Sequence, residues 1–217
     1  MLFQISDVLS SEELHHIREA LTTAQFVDGK ATAGWYAKQV KNNQQLKRDS
    51  SQPLEATVKD ALSRHPLFHV AVQPKQIHSL RFSRYSAGMS YGTHADNAMM
   101  GSYRADVSFT LFLSEPTDYE GGELVIEGAD DEQTYKLKAG SAIVYPSSTL
   151  HRVNEVAQGQ RLVVVGWAQS LIRDPARREL LFDIDTVRRS LFAQHGKTTE
   201  FDLLSKSVSN LLRRWAE

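Results

Sequence analysis

The sequence contains no cysteine. That single absence removes a disulfide framework, a thiolate zinc site and a catalytic thiol, and it is compatible with a reducing compartment. Long apolar runs are also missing. None approaches the roughly 20 residues that span a bilayer, so no membrane partner is expected. The first residues, MLFQISDVLSSEEL, lack a basic stretch followed by an apolar core. No secretory leader is expected, and the expected location is the cytoplasm. Charge of one sign is lacking as well: Lys and Arg total 25 against 26 for Asp and Glu, a formal net charge of −1. Nucleic-acid binding, which calls for a strongly basic face, is therefore not expected. What remains is an ordinary globular composition, 41% hydrophobic and 24% charged over 217 residues, enough for one sizeable core.

Hydrophobic periodicity divides the chain into three stretches. Residues 1–75 read as N-terminal helices packing on a barrel. Over residues 10–27, Ser10 or Ser11 can cap a helix, Glu12 and Glu13 suit its positive first turn, and Leu14, Ile17 and Leu21 recur at helical spacing. The run QPLEATVKDALSRHPLF predicts a second helix, with Pro53 in its first turn and Pro66 at its end. Residues 76–170 change character: QIHSLRFSRY, DVSFTLFLS, GGELVIEG, QTYKLKAG, SAIVYP and RLVVVGWAQS are short, β-rich and separated by turn residues, the pattern of an antiparallel barrel or jelly roll. Residues 171–217 return to helical spacing and read as a C-terminal helical appendage. Its arginines, Arg173, Arg177, Arg178, Arg188 and Arg189, alternate with Asp174, Glu179, Asp183 and Asp185, as on a solvated helix face. The expected class is α+β, a jelly roll with helices at both ends.

One constellation carries chemistry. His94 and Asp96 are two residues apart, so in extended chain they leave the same side and can meet one ion. His151 follows the strand SAIVYP and would come from across the barrel. Two imidazoles and a carboxylate on one face of an octahedral ion form the triad of non-haem Fe(II) oxygenases, with the remaining positions open. A lone His-x-Asp is weak; its company strengthens it. Arg161 stands ten residues after His151, inside the apolar run RLVVVGW. That run has no clean alternation, so both of its faces should be covered. A covered arginine needs an anionic partner, and its planar fork suits a carboxylate. Gly121 and Gly122 are expected to shape a turn. Tyr91, Asn97, Met99 and Met100 flank the metal motif, the two methionines read as packing residues of a loop. The other histidines have no partner at a metal-like spacing.

These residues carry a resemblance. Tyr85, the His-Ala-Asp of residues 94–96, DVSFTLFLS, GGEL at 121–124, YPSSTLH ending in His151, and Arg161 resemble the catalytic domain of Fe(II)- and 2-oxoglutarate-dependent dioxygenases of the prolyl-4-hydroxylase-like branch. With VDGKATAGWYAKQVKNNQQL and SLIRDPARRELLF, nearly the whole chain is similar to a bacterial subgroup associated with iron uptake, the PKHD-type hydroxylases. The resemblance implies a double-stranded β-helix in which His94, Asp96 and His151 ligate Fe(II). Arg161 would pair with the distal carboxylate of 2-oxoglutarate, and Tyr85 would help to bind it. It implies hydroxylation of a C–H bond with release of succinate and carbon dioxide, dioxygen as co-substrate and L-ascorbate as helper. Asp96 sets the chain apart from the halogenases of the superfamily, which lack that carboxylate. A cupin-like metalloenzyme, indifferent to 2-oxoglutarate and to Arg161, and a non-enzymatic sensor of iron or 2-oxoglutarate are the alternatives. The substrate is not named by the residues: a peptidyl side chain, a free amino acid, a siderophore or another metabolite all fit. The apolar stripes of the C-terminal helices would cover the barrel or join two subunits, and a homodimer is expected.

Overall fold

The computed structural model describes residues 1–217, the side chain of Asp49 apart. In chain order the elements are β1 (Phe3–Ile5), α1 (Ser11–Thr22), β2 (Phe26–Asp28), β3 (Lys41–Asn42), β4 (Gln44–Leu46), α2 (Arg48–Arg64), α3 (Pro66–Val72), β5 (Pro74–Ser86) and β6 (Ser90–His94). There follow β7 (Met99–Met100), β8 (Tyr103–Arg104), β9 (Val107–Phe112), β10 (Tyr119–Gly121), β11 (Leu124–Glu127), β12 (Glu132–Tyr135), β13 (Ala142–Pro146), β14 (His151–Val153), β15 (Val156–Ser170), α4 (Pro175–His195) and α5 (Thr199–Trp215). The large sheet runs β1-β13-β9-β15-β5-β4-β2, with β10 also on β15; the small sheet runs β12-β11-β14-β6-β3. Every pairing is antiparallel. The two sheets pack face to face as a jelly roll with helices at both ends of the chain, the class expected from the strand spacing.

Side-chain alternation on β15 builds both cores. Leu162, Val164 and Ala168 face the helices, where they join Ile17 and Leu21 of α1, Val58 and Leu62 of α2 and Phe68 of α3. Val163 and Val165 face inward to Phe112, Leu124, Ile126 and Val153 between the sheets. The absence of clean alternation in RLVVVGW thus has its expected cause: both faces are covered. Residues 1–75, read as helices alone, also supply four strands. β3 pairs with β6 in the small sheet while β4, two residues on, pairs with β5 in the large one. Residues 41–46 therefore stitch one edge of the sandwich shut, and this seam borders the site described below.

Local chemistry explains where the helices begin and end. Ser10 caps α1, its hydroxyl accepting from the Glu13 amide at 3.2 Å while the Glu13 carboxylate accepts from the Ser10 amide at 2.9 Å. α1 stops at Thr22 rather than 27, because Phe26–Asp28 is drawn into the sheet edge beside β4. α2 begins at Arg48, ahead of Pro53, which lies inside the helix and not in its first turn. The preceding RDSSQ has no apolar stripe to reveal its helicity. Pro66 does mark the break, as the first residue of the short α3.

The C-terminal hairpin has its own small core of Ile172, Leu181 and Val208 with Trp215 packed on it. Arg178 is buried and donates to the carbonyls of Ile172 (2.7 Å) and Arg173 (3.0 Å), while Arg188 and Arg189 both pair with Asp185. The chain end is tied back to the barrel: the Glu217 amide donates to Leu171 O at 2.9 Å, and Lys75 Nζ to Glu217 O at 2.7 Å. No helix is long and apolar enough to cross a membrane.

Gly166 on β15 lies against the Phe109 ring, where an added Cβ would meet Cζ at 2.5 Å. Gly166→Ala should lower stability by about 1–3 kcal/mol through overpacking. Phe109→Leu in that background should recover part of the loss, a coupling readable from a double-mutant cycle by urea denaturation. Additive losses would show that the contact is not what fixes glycine there.

Candidate metal centre

Strand register brings the two histidines together. β6 ends at His94 and β14 begins at His151, and these two residues are direct cross-strand partners. Their imidazoles project from one face of the small sheet into the space between the sheets. Asp96 lies two residues past the end of β6. One ligand atom from each of His94, Asp96 and His151 lies within 4.8 Å of the others, and His151 Nε2 is 3.9 Å from Asp96 Oδ2. Among the described residues this is the one such cluster.

The surroundings prepare the three groups as ligands. His94 Nδ1 donates to Gly92 O at 2.9 Å and His151 Nδ1 to Thr149 O at 3.0 Å. A carbonyl can only accept, so Nδ1 carries the proton and the Nε2 lone pair of each ring is free for an ion. Tyr91 stacks on His94 at 3.7 Å between ring centres, and Tyr145 meets His151 edge-on at 5.1 Å. Ser108 Oγ donates to Asp96 Oδ2 at 2.6 Å and shares a hydrogen bond with Ser147 Oγ at 2.8 Å. Burial, with the neighbouring His151, pushes the His94 imidazole down to about 4, which keeps it neutral at pH 7.

The triad opens into a cleft lined by residues of both sheets and the seam. Arg161 lines it and is 1% exposed, yet none of its three guanidinium nitrogens has a hydrogen-bond partner among the described residues. The guanidinium sits 5.0 Å from the Tyr85 ring centre and 5.5 Å from that of Phe112. Tyr85 is the direct neighbour of Arg161 across β5 and β15. Burial raises the phenols of Tyr85 and Tyr119, and the charge of Arg161 pulls both the other way. The GGEL turn makes room for the arginine. Gly121 and Gly122 both have positive φ, as expected of them, and a Cβ on Gly122 would meet Val156 Cγ2 at 2.8 Å and Arg161 Cδ at 3.2 Å.

A face of two nitrogens and one oxygen, open on the cavity side, suits a divalent iron that must also bind other ligands. A buried guanidinium without a partner suits one end of an anion, and a carboxylate matches its fork. The donor set and the arginine therefore fit iron together with a 2-oxo dicarboxylate. Of the flanking residues, Tyr91, Asn97 and Met100 line the cavity. Met99 is half exposed and paired in the β7–β8 hairpin, so it is not the packing residue expected. His78 is buried away from the cluster, stacked on Tyr103 and bonded to Arg104 O at 3.0 Å. The sequence did not point to Ser108, Ser147 or Lys41. An inward-facing serine in the apolar DVSFTLF and the paired serines of YPSS were the available signals.

Comparison with known proteins agrees with this geometry. Residues 80–169 match the 2OG-Fe(II) oxygenase superfamily and residues 175–217 the PKHD-type hydroxylase C-terminal domain. A PKHD-type hydroxylase of Acaryochloris marina is 65% identical over 219 residues, and one of Picosynechococcus sp. 64% identical over 219 residues, each covering 100% of both chains. Among solved structures, a Pseudomonas putida prolyl-4-hydroxylase aligns with a TM-score of 0.53 at 21% identity, over 78% of this chain and 92% of that one. A Trichoplax adhaerens prolyl hydroxylase, in complex with a hypoxia-inducible-factor peptide, aligns with a TM-score of 0.56 at 14% identity, over 77% and 83%. These two share the fold. On its full-length relatives, the chain belongs to the PKHD-type hydroxylases, a group within the 2-oxoglutarate- and Fe(II)-dependent dioxygenases.

Proposed function

We propose that His94, Asp96 and His151 hold the Fe(II) of this dioxygenase, that Arg161 binds the distal carboxylate of 2-oxoglutarate, and that Tyr85 walls the co-substrate in beside it. The observation that carries this reading is the Arg161 guanidinium, buried in the cavity wall with all three nitrogens unpaired among the described residues. Iron, 2-oxoglutarate and dioxygen together supply the oxidation: the 2-oxo acid becomes succinate and carbon dioxide, and the second oxygen atom enters a substrate C–H bond as hydroxyl.

The chain's own contribution is orientation and exclusion. The carbonyls of Gly92 and Thr149 fix which imidazole nitrogen faces the ion, and Ser108 holds the Asp96 carboxylate in place. Phe112 and Tyr85 flank Arg161 and keep water from its charge, which strengthens its grip on a carboxylate. Tyr91 and Tyr145 brace the two imidazoles against rotation. We also infer that ascorbate keeps the iron reduced and that the enzyme works in the cytoplasm, a reducing compartment with which the absence of cysteine is compatible. A homodimer would use the exposed Leu180, Val187 and Phe192 of α4 with Leu203 of α5.

Anaerobic addition of Fe(II) and then 2-oxoglutarate to the metal-free protein should produce a weak visible charge-transfer band, absent in Asp96→Ala. A parent protein that binds iron but gives no band would exclude 2-oxoglutarate chelation and favour other metal chemistry. Ser108→Ala, which removes a hydrogen bond from the carboxylate without touching the triad, should weaken iron binding roughly 10- to 100-fold. Unchanged iron affinity in that variant would show that Asp96 needs no such support.

A further inference from the structure

The cavity wall carries a second buried cation that the chemistry above does not use. Lys41, the first residue of β3 at the seam, is 5% exposed and lines the cavity. Its amine donates to Thr32 Oγ1 at 3.1 Å and lies 5.1 Å from the centre of the Tyr91 ring. Thr32 Oγ1 is in turn 2.7 Å from Gln45 Oε1, and Gln45 Nε2 reaches Ser83 Oγ at 3.5 Å. Every direct partner in this ladder is neutral: Lys41 takes part in none of the ion pairs among the described residues. Arg81 lines the same cavity, and its positive charge acts on Lys41. Burial, with the Arg81 charge, holds the Lys41 amine down to about 8, against the opposing pull of Asp96 and Asp28.

An ammonium drawn out of water against neutral groups and a like charge is unfavourable unless an anion arrives to meet it. Asp96 cannot fill that role while it serves the metal, and 2-oxoglutarate has its own cation in Arg161. Tyr36, Tyr91 and Trp167 line the same cleft and give a small molecule aromatic surface to pack on beside the co-substrate. We propose that Lys41 anchors the substrate, and that the substrate is a small molecule with a free carboxylate, which pairs with the Lys41 ammonium. This inference rests on the assignment of Arg161 to 2-oxoglutarate and gives that site a substrate class. It favours a free acid over an amide-linked residue inside a polypeptide, whose backbone carries no carboxylate.

The test compares acids with their own amides in the intact protein. The protein is loaded with Zn(II), which binds without turnover, and titrated calorimetrically with 2-oxoglutarate. It is then titrated with benzoate and benzamide, and with N-acetylproline and N-acetylprolinamide. Loss of the co-substrate site would appear as a missing 2-oxoglutarate isotherm, separate from the behaviour of the probes. We expect each acid to bind at least ~10-fold more tightly than its amide, the effect of one hydrogen bond to a charged group. The preference should fall below about two-fold in both Lys41→Met and Lys41→Gln, each checked first for 2-oxoglutarate loading. Acids and amides binding alike in the parent, neither binding, or an acid preference that survives both substitutions would overturn the proposal.

Discussion

The burial of the Arg161 guanidinium with no anionic protein partner is the constraint around which this molecule is organised. A charge in that position is stable only when an anion completes it, and removing one member of such a buried pair typically costs about 3–5 kcal/mol. The fold supplies everything except the anion. β15 carries the arginine in its inward-facing row, β5 sets Tyr85 beside it, β9 brings Phe112, and the paired glycines of the GGEL turn leave space for its stem. A barrel free to choose its core residues would place an aliphatic side chain there. The retained cation makes sense as half of a ligand site.

The candidate metal ligands follow a related logic on the small sheet. Register alone makes His94 and His151 neighbours, and their shared geometry, Nδ1 donating to the carbonyl two residues earlier, aims both free nitrogens the same way. Asp96 enters from beyond the strand and is held by Ser108, a residue of the large sheet. The cluster therefore spans both layers of the sandwich. Slippage of either sheet by one residue would turn a histidine or the serine away from the cavity, so jelly-roll register and metal geometry are a single requirement.

Much of this was legible in the sequence because the relevant signals are short in range or chemically conspicuous. His-x-Asp announces a shared face, an arginine inside RLVVVGW announces a covered charge, and the glycine pair announces a turn. The helix ends were less legible. Helical spacing overruns the true end of α1 because the extended path of Phe26–Asp28 is imposed by pairing with β4, from Asp28 with Gln44 to Phe26 with Leu46. The start of α2 was hidden because a polar, solvent-facing RDSSQ has no periodicity to detect. The double duty of residues 41–46, one strand in each sheet, is invisible to any local pattern, and with it went the placement of Lys41. Ser108 is illegible for the opposite reason: a lone serine in an apolar strand carries too little signal until its neighbours are known.

The central claim, that Arg161 is the missing half of a 2-oxoglutarate site, is tested most directly by calorimetry with 2-oxoglutarate and pyruvate on the Zn(II)-loaded protein and on Arg161→Met. The two 2-oxo acids share the metal-chelating end and differ in the distal carboxylate. The account predicts that the parent prefers 2-oxoglutarate by roughly 30-fold or more, the loss expected on unpairing a buried charge, and that Arg161→Met binds the two acids alike. Equal affinity in the parent, or a preference that persists without the arginine, would contradict it.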